Sequence, residues 1–509
     1  MITQDFVGCY GLYLFKKGDY FAISNSLLRL VEHVGKAHKL TLNRDYASAF
    51  IPEGLCSVAY SDTMINEIQM LDRSAIVDID IRKRRFVIRY FDYMENTVEL
   101  DTAEGMRILD NWYSKWAEFI RNLTGRATNI HFDLSGGFDS RLTLCLLLGS
   151  GVDIDRVRVF SYNDDLHTHA EDFEIATLIS EHFKFKLNNN KYIACDYFSY
   201  PMDDIVDISF YAKLGFHKQM RYSYSYHGNP YHCFGGSGGE CIRDYWHMSG
   251  AEYINNAVKR CAGYSSSPAR IREYQRATER VVHSSFAGIR EKFERFGRDI
   301  SDEELPMHLY RETRCRNHFG KNIVESYLGG DRRYMPLLDP DLHKLKLNTS
   351  SCPDKNLLMA VIFTRYSSAL ADFKFEGGRS IAAETIEYAR RLNDKYPYAP
   401  KERVDDLGEI SVRKSTYHGI AVKSAELEAH IAEILRAPEV RNTFTELYDE
   451  EAYDFLCDFI KRQKYQPLST AYTIIAISKF ANHAERDGRA SLAVRRLGDW
   501  IAALRRHIR

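Results

Sequence analysis

The sequence predicts an α/β protein in which a parallel sheet carries a helical extension and follows a small β-rich region. Three observations lead there. The first hundred residues hold short aromatic and β-branched runs separated by turn residues. From Asn129 short strands alternate with helices, and after about Ser249 the periodicity is mostly helical.

The early runs CYGLYLF, DYFAIS and RRFVIRYF read as strands, and RSAIVDIDIRKRRFVIRYFDY as a hairpin turning at IRKRR. From Ala103 to Leu123 apolar residues recur at helical spacing (Met106, Leu109, Trp112, Trp116, Phe119, Ile120). A boundary is expected near Glu99–Glu104. Next come the strand NIHFDL, the helix RLTLCLLL, the strand VRVFSY, the helix HAEDFEIATLISEHF and the strand YHCFGG. Short strands joined through helices indicate parallel pairing. Later helices are expected over Ala425–Arg436 with Ser424 as N-cap, Glu446–Lys464 and Ala490–Arg506. The last of these, with the residues up to Arg509, carries five arginines and an apolar side, and reads as a helix docked by that side. The expected regions are therefore 1–102, 103–420 and 421–509.

Composition narrows the function classes. At 509 residues the chain is long enough for two or three domains, and with 45% hydrophobic residues it is not mainly disordered. The 69 Lys and Arg nearly cancel the 70 Asp and Glu, so no overall field draws nucleic acid or an anionic membrane. The ten cysteines are scattered, without a CxxC pair or zinc spacing. There is no basic-then-apolar leader at MITQDFVG and no apolar run of membrane length, so a cytoplasmic protein is expected.

The chemistry concentrates in Asp133-Leu134-Ser135-Gly136-Gly137-Phe138-Asp139-Ser140-Arg141, between a strand and a helix. Gly136 and Gly137 permit a tight turn that exposes amides. Ser135 and Ser140 add hydroxyls, and the helix start adds positive dipole, so the loop is an anion cradle. Asp139 beside it reads as a Mg²⁺ ligand, because a bare carboxylate would repel phosphate. The absence of a Lys at the Walker position excludes the usual P-loop. A second run, Phe234-Gly235-Gly236-Ser237-Gly238-Gly239-Glu240, again follows a strand. Its glycines allow close backbone approach to a nucleotide, and Glu240 offers a second carboxylate to the metal.

SGGFDS resembles the pyrophosphate-binding loop of the N-type ATP pyrophosphatases, which include asparagine, β-lactam, GMP, NAD and tRNA lysidine synthetases. The second loop is similar to the SGDGADE loop of the asparagine synthetase branch, with Ser237 where that motif has Asp. Tyr334-Met335-Pro336-Leu337-Leu338-Asp339-Pro340 resembles its R-x-P-F-L-D signature. The resemblance implies a PP-loop (adenine nucleotide α-hydrolase-like) fold, with ATP and Mg²⁺ as cofactors. It also implies cleavage between the α and β phosphates, adenylation of a carboxylate, and displacement of AMP by ammonia or an amine.

By that resemblance Leu134, Ser135, Gly136, Gly137, Asp139, Ser140, Gly235 and Gly236 bind ATP and its pyrophosphate. Phe160 and Ser161, with Val159, lie at the adenine, and Asp139 and Glu240 hold the metal. Arg311, Arg314, Arg316, His318 and Lys321 look like the family's substrate-facing basic helix. Arg314 and Arg316 cannot point the same way on a helix, and Arg314 is the catalytic candidate. Lys414 in VRKSTYHG, with Lys401 behind it, is the candidate for stabilising the adenylate. Glu171 and Asp172 match an acidic pair of the family.

The family's glutaminase domain begins with a catalytic Cys, whereas this chain has Ile2 there and its first Cys is Cys9. The N-terminal region therefore reads as a truncated, degenerate Ntn-like region. Nitrogen is expected from ammonia, an amine or a separate glutaminase. Such members of the family often act in surface-polysaccharide or natural-product synthesis, which implies a small-molecule or glycan carboxylate as substrate. The alternatives are another PP-loop ligase, such as tRNA lysidine synthetase, or an inactive member acting as a scaffold.

Overall fold

The computed structural model describes residues 1–80, 82–83, 85–93, 97–163, 169–188, 202–218, 231–243, 245–328, 332–346, 349–399, 424–462 and 468–484. In the N-terminal region β1 (Tyr13–Lys17) pairs antiparallel with both β2 (Tyr20–Ser24) and β3 (Ile68–Met70). The expected hairpin forms from β4 (Ala75–Asp80) and β5 (Arg85–Tyr90), with Ala75 opposite Tyr90.

The reading of this region as strands and turns is corrected by two helices, α1 (Leu27–Val34) and α2 (Arg44–Phe50). Each is declared by its cap. Ser26 Oγ accepts from Arg29 N, and Asn43 Oδ1 accepts from Tyr46 N. Leu27, Leu30, Val31 and Val34 then place an apolar stripe on the core at helical spacing.

Thr102 caps α3 (Ala103–Thr124), close to the expected boundary. Beyond it, strands and helices alternate: β6 (Ile130–Asp133), α4 (Phe138–Gly149), β7 (Arg158–Phe160), α5 (Ala170–Phe183), β8 (Leu187–Asn188), α6 (Met202–Lys213) and β9 (His232–Phe234). Then come α7 (Gly250–Arg260), α8 (Pro268–Arg295), α9 (Leu305–Leu309), a wide π-type segment (Tyr310–Phe319), α10 (Gly320–Leu328) and β10 (Arg332–Tyr334).

The sheet order is β10-β9-β6-β7-β8, and every pair is parallel. The chain runs outward from β6 in one direction, then returns to build β9 and β10 on the other side. Order therefore reverses between β6 and β9, where an open parallel sheet leaves a crevice at its carboxyl ends. Phe132 and Phe234 stack at 4.5 Å across that seam. The sheet core is closed by α3, α4 and the helices Leu357–Tyr366 and Ala383–Lys395, through Trp112, Leu142, Ile362 and Ala389.

The C-terminal helices Ser424–Arg436, Pro438–Tyr448, Glu450–Arg462 and Leu468–Ala484 pack on the N-terminal region. Ile431, Phe444 and Ile475 share one core with Leu27, Phe50 and Tyr274. The single helix expected over Glu446–Lys464 is instead broken at Asp449. There the backbone turns left-handed (φ +82°), and the carboxylate accepts from Ala452 N to start a new helix. The helix expected over Ala490–Arg506 lies outside the described residues. Among them, no helix is long and apolar enough to cross a membrane.

Candidate active site

Both glycine-rich loops leave the sheet at the seam where strand order reverses. Residues 134–137 join β6 to α4, and residues 235–238 follow β9. The second loop lies directly on the first turn of α4. A Cβ on Gly236 would stand 2.5 Å from backbone atoms of Asp139 and Ser140, and one on Gly239 would stand 2.2 Å from Asp139 Cγ. Gly238 supplies a left-handed turn at φ +92°. Two segments a hundred residues apart thus become one surface because glycine keeps them thin.

This surface walls a cleft of about 380 Å³. From the first loop come Leu134, Ser135, Asp139 and Ser140, and from the second Gly236 and Glu240. Phe160 and Ser161, at the end of β7, form a further wall. Gly136, Gly137 and Gly235 shape the loops without lining this cleft; Gly137 borders the cavity on the other side of the first loop. Asp133 at the head of the first motif also lines the cleft, as do Tyr162, His169 and Phe319, to which the sequence assigns no role.

The first loop is held by its own side chains. Ser140 Oγ accepts from Ser135 N at 3.0 Å, Ser135 Oγ accepts from Gly137 N at 3.2 Å, and Asp172 Oδ1 accepts from Gly136 N at 2.6 Å. Asp172 therefore braces the loop, and Glu171 does the same for Gly377 N at 3.1 Å.

Arg141 is the residue whose role the sequence reading missed. It is completely buried, donating to the carbonyls of Gly136 (3.0 Å), Phe373 (2.9 Å) and Lys374. Its guanidinium lies 3.9 Å over Phe375, which stacks at 3.9 Å on Phe138. The available signal was a charge at the head of an otherwise apolar helix, where only buried acceptors could satisfy it.

The cleft is acidic. Burial raises the Asp139 carboxyl, against the pull of Arg243, which meets it at 3.2 and 3.3 Å. Burial and the neighbouring charge of Asp139 both raise Glu240, one of whose oxygens is buried without a hydrogen-bond partner. A cation would relieve both carboxylates. Among the described residues there is no group of three or more His, Cys, Asp or Glu able to hold a metal. Two carboxylates suit Mg²⁺, which commonly takes one or two from the protein and the remainder from phosphate and water.

The basic segment behaves differently from the expectation. Arg311 donates to Cys241 O (2.6 Å), Arg316 to Gln4 Oε1 and Leu71 O (both 2.7 Å), and Lys321 to Cys9 O (2.7 Å). His318 lies against His217. Arg316 and Lys321 tie the helical part to the N-terminal region, while Arg311 and His318 contact Cys241 and His217 in the part that bears the sheet, because buried cations seek the nearest carbonyls. Arg314 does not line the cleft. It lies against Cys56 and 5.9 Å over the Phe319 ring, close enough to Glu240 for that charge to strengthen its own.

The Tyr334–Pro340 stretch is also anchored elsewhere. Asp339 accepts from Lys115 (2.9 Å) and Trp116 Nε1 (2.8 Å), and Pro336 O accepts from Trp112 Nε1 (3.0 Å). Burial and Asp5 push the Cys9 thiol up, far from a nucleophilic thiolate. Lys401 and Lys414 lie outside the described residues.

No family model matches the chain, and no curated protein matches it significantly.

Proposed function

We propose that the protein is an ATP-dependent carbon–nitrogen ligase of the PP-loop type, which adenylates a substrate carboxylate and passes it to ammonia or an amine. One observation carries this reading. Two glycine-rich loops converge where strand order reverses and turn Asp139 and Glu240 toward one cleft walled by Phe160 and Ser161. That is where an open parallel sheet receives a nucleotide.

In this reading Phe160 and Tyr162 offer apolar faces to adenine, and the Ser135 and Ser140 hydroxyls donate to phosphate oxygens. Arg141 keeps the loop rigid beneath them. Mg²⁺, held by Asp139 and Glu240, would supply charge neutralisation for the phosphates. The substrate carboxylate attacks the α-phosphorus and expels pyrophosphate; the nitrogen nucleophile then attacks the acyl carbon and expels AMP. A small-molecule or glycan carboxylate, such as a uronic acid, is the proposed substrate class. We place the reaction in the cytoplasm and expect no nucleic-acid partner.

A second reading is favoured by specific contacts: Arg243 already pairs with Asp139, and Asp172 already takes the Gly136 amide. Both are what an inactive nucleotide-binding scaffold would retain. ATP–pyrophosphate exchange across a panel of carboxylic acids separates the two. Acid-dependent exchange is expected, and Asp139→Asn should lower it about 100-fold or more with the fold intact. Absence of exchange with every acid, in protein that binds ATP, would favour the scaffold.

A further inference from the structure

Behind the cleft wall lie two thiols with no part in the proposed reaction. Cys241 follows Glu240 in the short turn Gly239–Ile242, and Cys315 stands in the π-type segment, 74 positions on. Their Sγ atoms are 2.8 Å apart, and both thiols are free and buried. The two backbones are pinned together beside them. Arg311, from the π-type segment, donates to Cys241 O at 2.6 Å, and Cys241 N donates to Gly238 O at 2.9 Å. Tyr310, Phe319, Met335 and Leu338 close an apolar core around the sulfurs. Phe319 and Glu240 also line the cleft, so the pair sits directly behind that wall.

We propose that Cys241 and Cys315 form a reversible disulfide under peroxide, which clamps the turn carrying Glu240 to the π-type segment. Sulfurs at this spacing need move less than about 1 Å to reach a covalent S–S bond. Hydrogen peroxide, hardly larger than water, needs only a local opening of the cleft wall to arrive. One thiol attacks a peroxide oxygen, giving a sulfenic acid and releasing water; the other thiol attacks that sulfur, and a second water leaves. Two thiols are thus oxidised to one disulfide, and one hydrogen peroxide is reduced to two waters. The clamp bears on the cleft because the turn is seated there: Gly239 leaves no room for a Cβ beside Asp139, and Glu240 lines the cleft. A cross-link between positions 74 apart restricts the unfolded chain, so the oxidised protein should be the more stable form. Cys457, half-buried and so the more accessible thiol, separates the effect of proximity from that of exposure.

To test this, the full chain is exposed to hydrogen peroxide, its remaining thiols are alkylated in urea, and the unreduced digest is mapped by mass spectrometry. A peptide joining Cys241 to Cys315 should appear, lighter than its two parts by two hydrogens, and dithiothreitol should abolish it. Cys241→Ala and Cys315→Ala should each lose the linked peptide, whereas Cys457→Ala should keep it. The oxidised wild type should also melt higher than the reduced, a shift that dithiothreitol reverses and Cys315→Ala does not show. The wild-type map decides the matter even if a variant fails to fold. Alkylation of both cysteines after peroxide treatment would overturn the disulfide, as would a link from either of them to some other cysteine. A lower melting temperature with the bond in place would overturn the clamp.

Discussion

The carboxylate of Glu240 shares its burial with that of Asp139, and one of its oxygens lacks a donor. Its proton is consequently held more tightly in the folded chain than in the unfolded one. Folding is thus favoured by this group below its unfolded pKa, and that contribution disappears as pH rises through the folded value. Above it the ionised Glu240 works against the fold unless a cation is present. Glu240→Gln should therefore melt at a higher temperature than wild type at pH 7.5, with the gap closing near pH ~4 where the wild-type carboxyl is protonated. Magnesium should raise the wild-type melting temperature and narrow the same gap from the other side. A variant that melts lower than wild type at pH 7.5 would show that Glu240 serves the fold as an ion. The acid itself was legible, because a carboxylate ending a glycine run has few structural uses. Its surroundings were not: Arg243 meets Asp139 across 104 positions, and Asp172 meets Gly136 across 36. Neither pairing leaves a local trace in the sequence.

At the scale of elements, the site depends on a loop thin enough to rest on the first turn of α4. Gly236→Ala would place a methyl group 2.5 Å from the Asp139–Ser140 backbone, which cannot yield as a flexible side chain could. It should destabilise the protein by about 1–3 kcal/mol, in the manner of an overpacked core, and weaken ATP binding with it. Gly263→Ala meets nothing within 4 Å and serves as the matched control. Equal urea midpoints for the two variants would mean the loop is not seated on α4. The strand–loop–helix unit around this contact was readable in advance, since NIHFDL and RLTLCLLL differ in period and the glycines stand between them. The short α1 and α2 were not, because eight and seven residues give too little periodicity and their signal is a single cap each. The break at Asp449 escaped for a related reason: apolar spacing continues through it, and only the left-handed backbone interrupts the helix.

Across the whole molecule, the N-terminal region joins the helical part through buried charge as well as apolar packing. Glu312 accepts from Lys292 at 2.8 Å and Tyr93 Oη at 2.6 Å, and pairs with Arg73 at 3.1 Å; Lys292 also reaches Asp72 at 3.2 Å. Arg73, Tyr93 and Asp72 come from the N-terminal region, Lys292 from α8 and Glu312 from the π-type segment. Burial alone would raise Glu312, but Arg73 and Lys292 outweigh it and hold the carboxyl well below its usual range. Stability from a depressed carboxylate is present above its unfolded pKa and lost as pH falls toward the folded one. The junction should accordingly weaken from about pH 5 downward. Glu312→Gln leaves Arg73 and Lys292 without their shared anion, which should cost about 3–5 kcal/mol at neutral pH. Urea unfolding of wild type and variant at pH 7 and pH 4 reads both effects. The gap between them should be large at pH 7 and shrink at pH 4, where wild-type Glu312 begins to lose its advantage over the neutral side chain. A gap that is small at pH 7, or equal at the two values, would mean that the Glu312 cluster does not hold the N-terminal region in place.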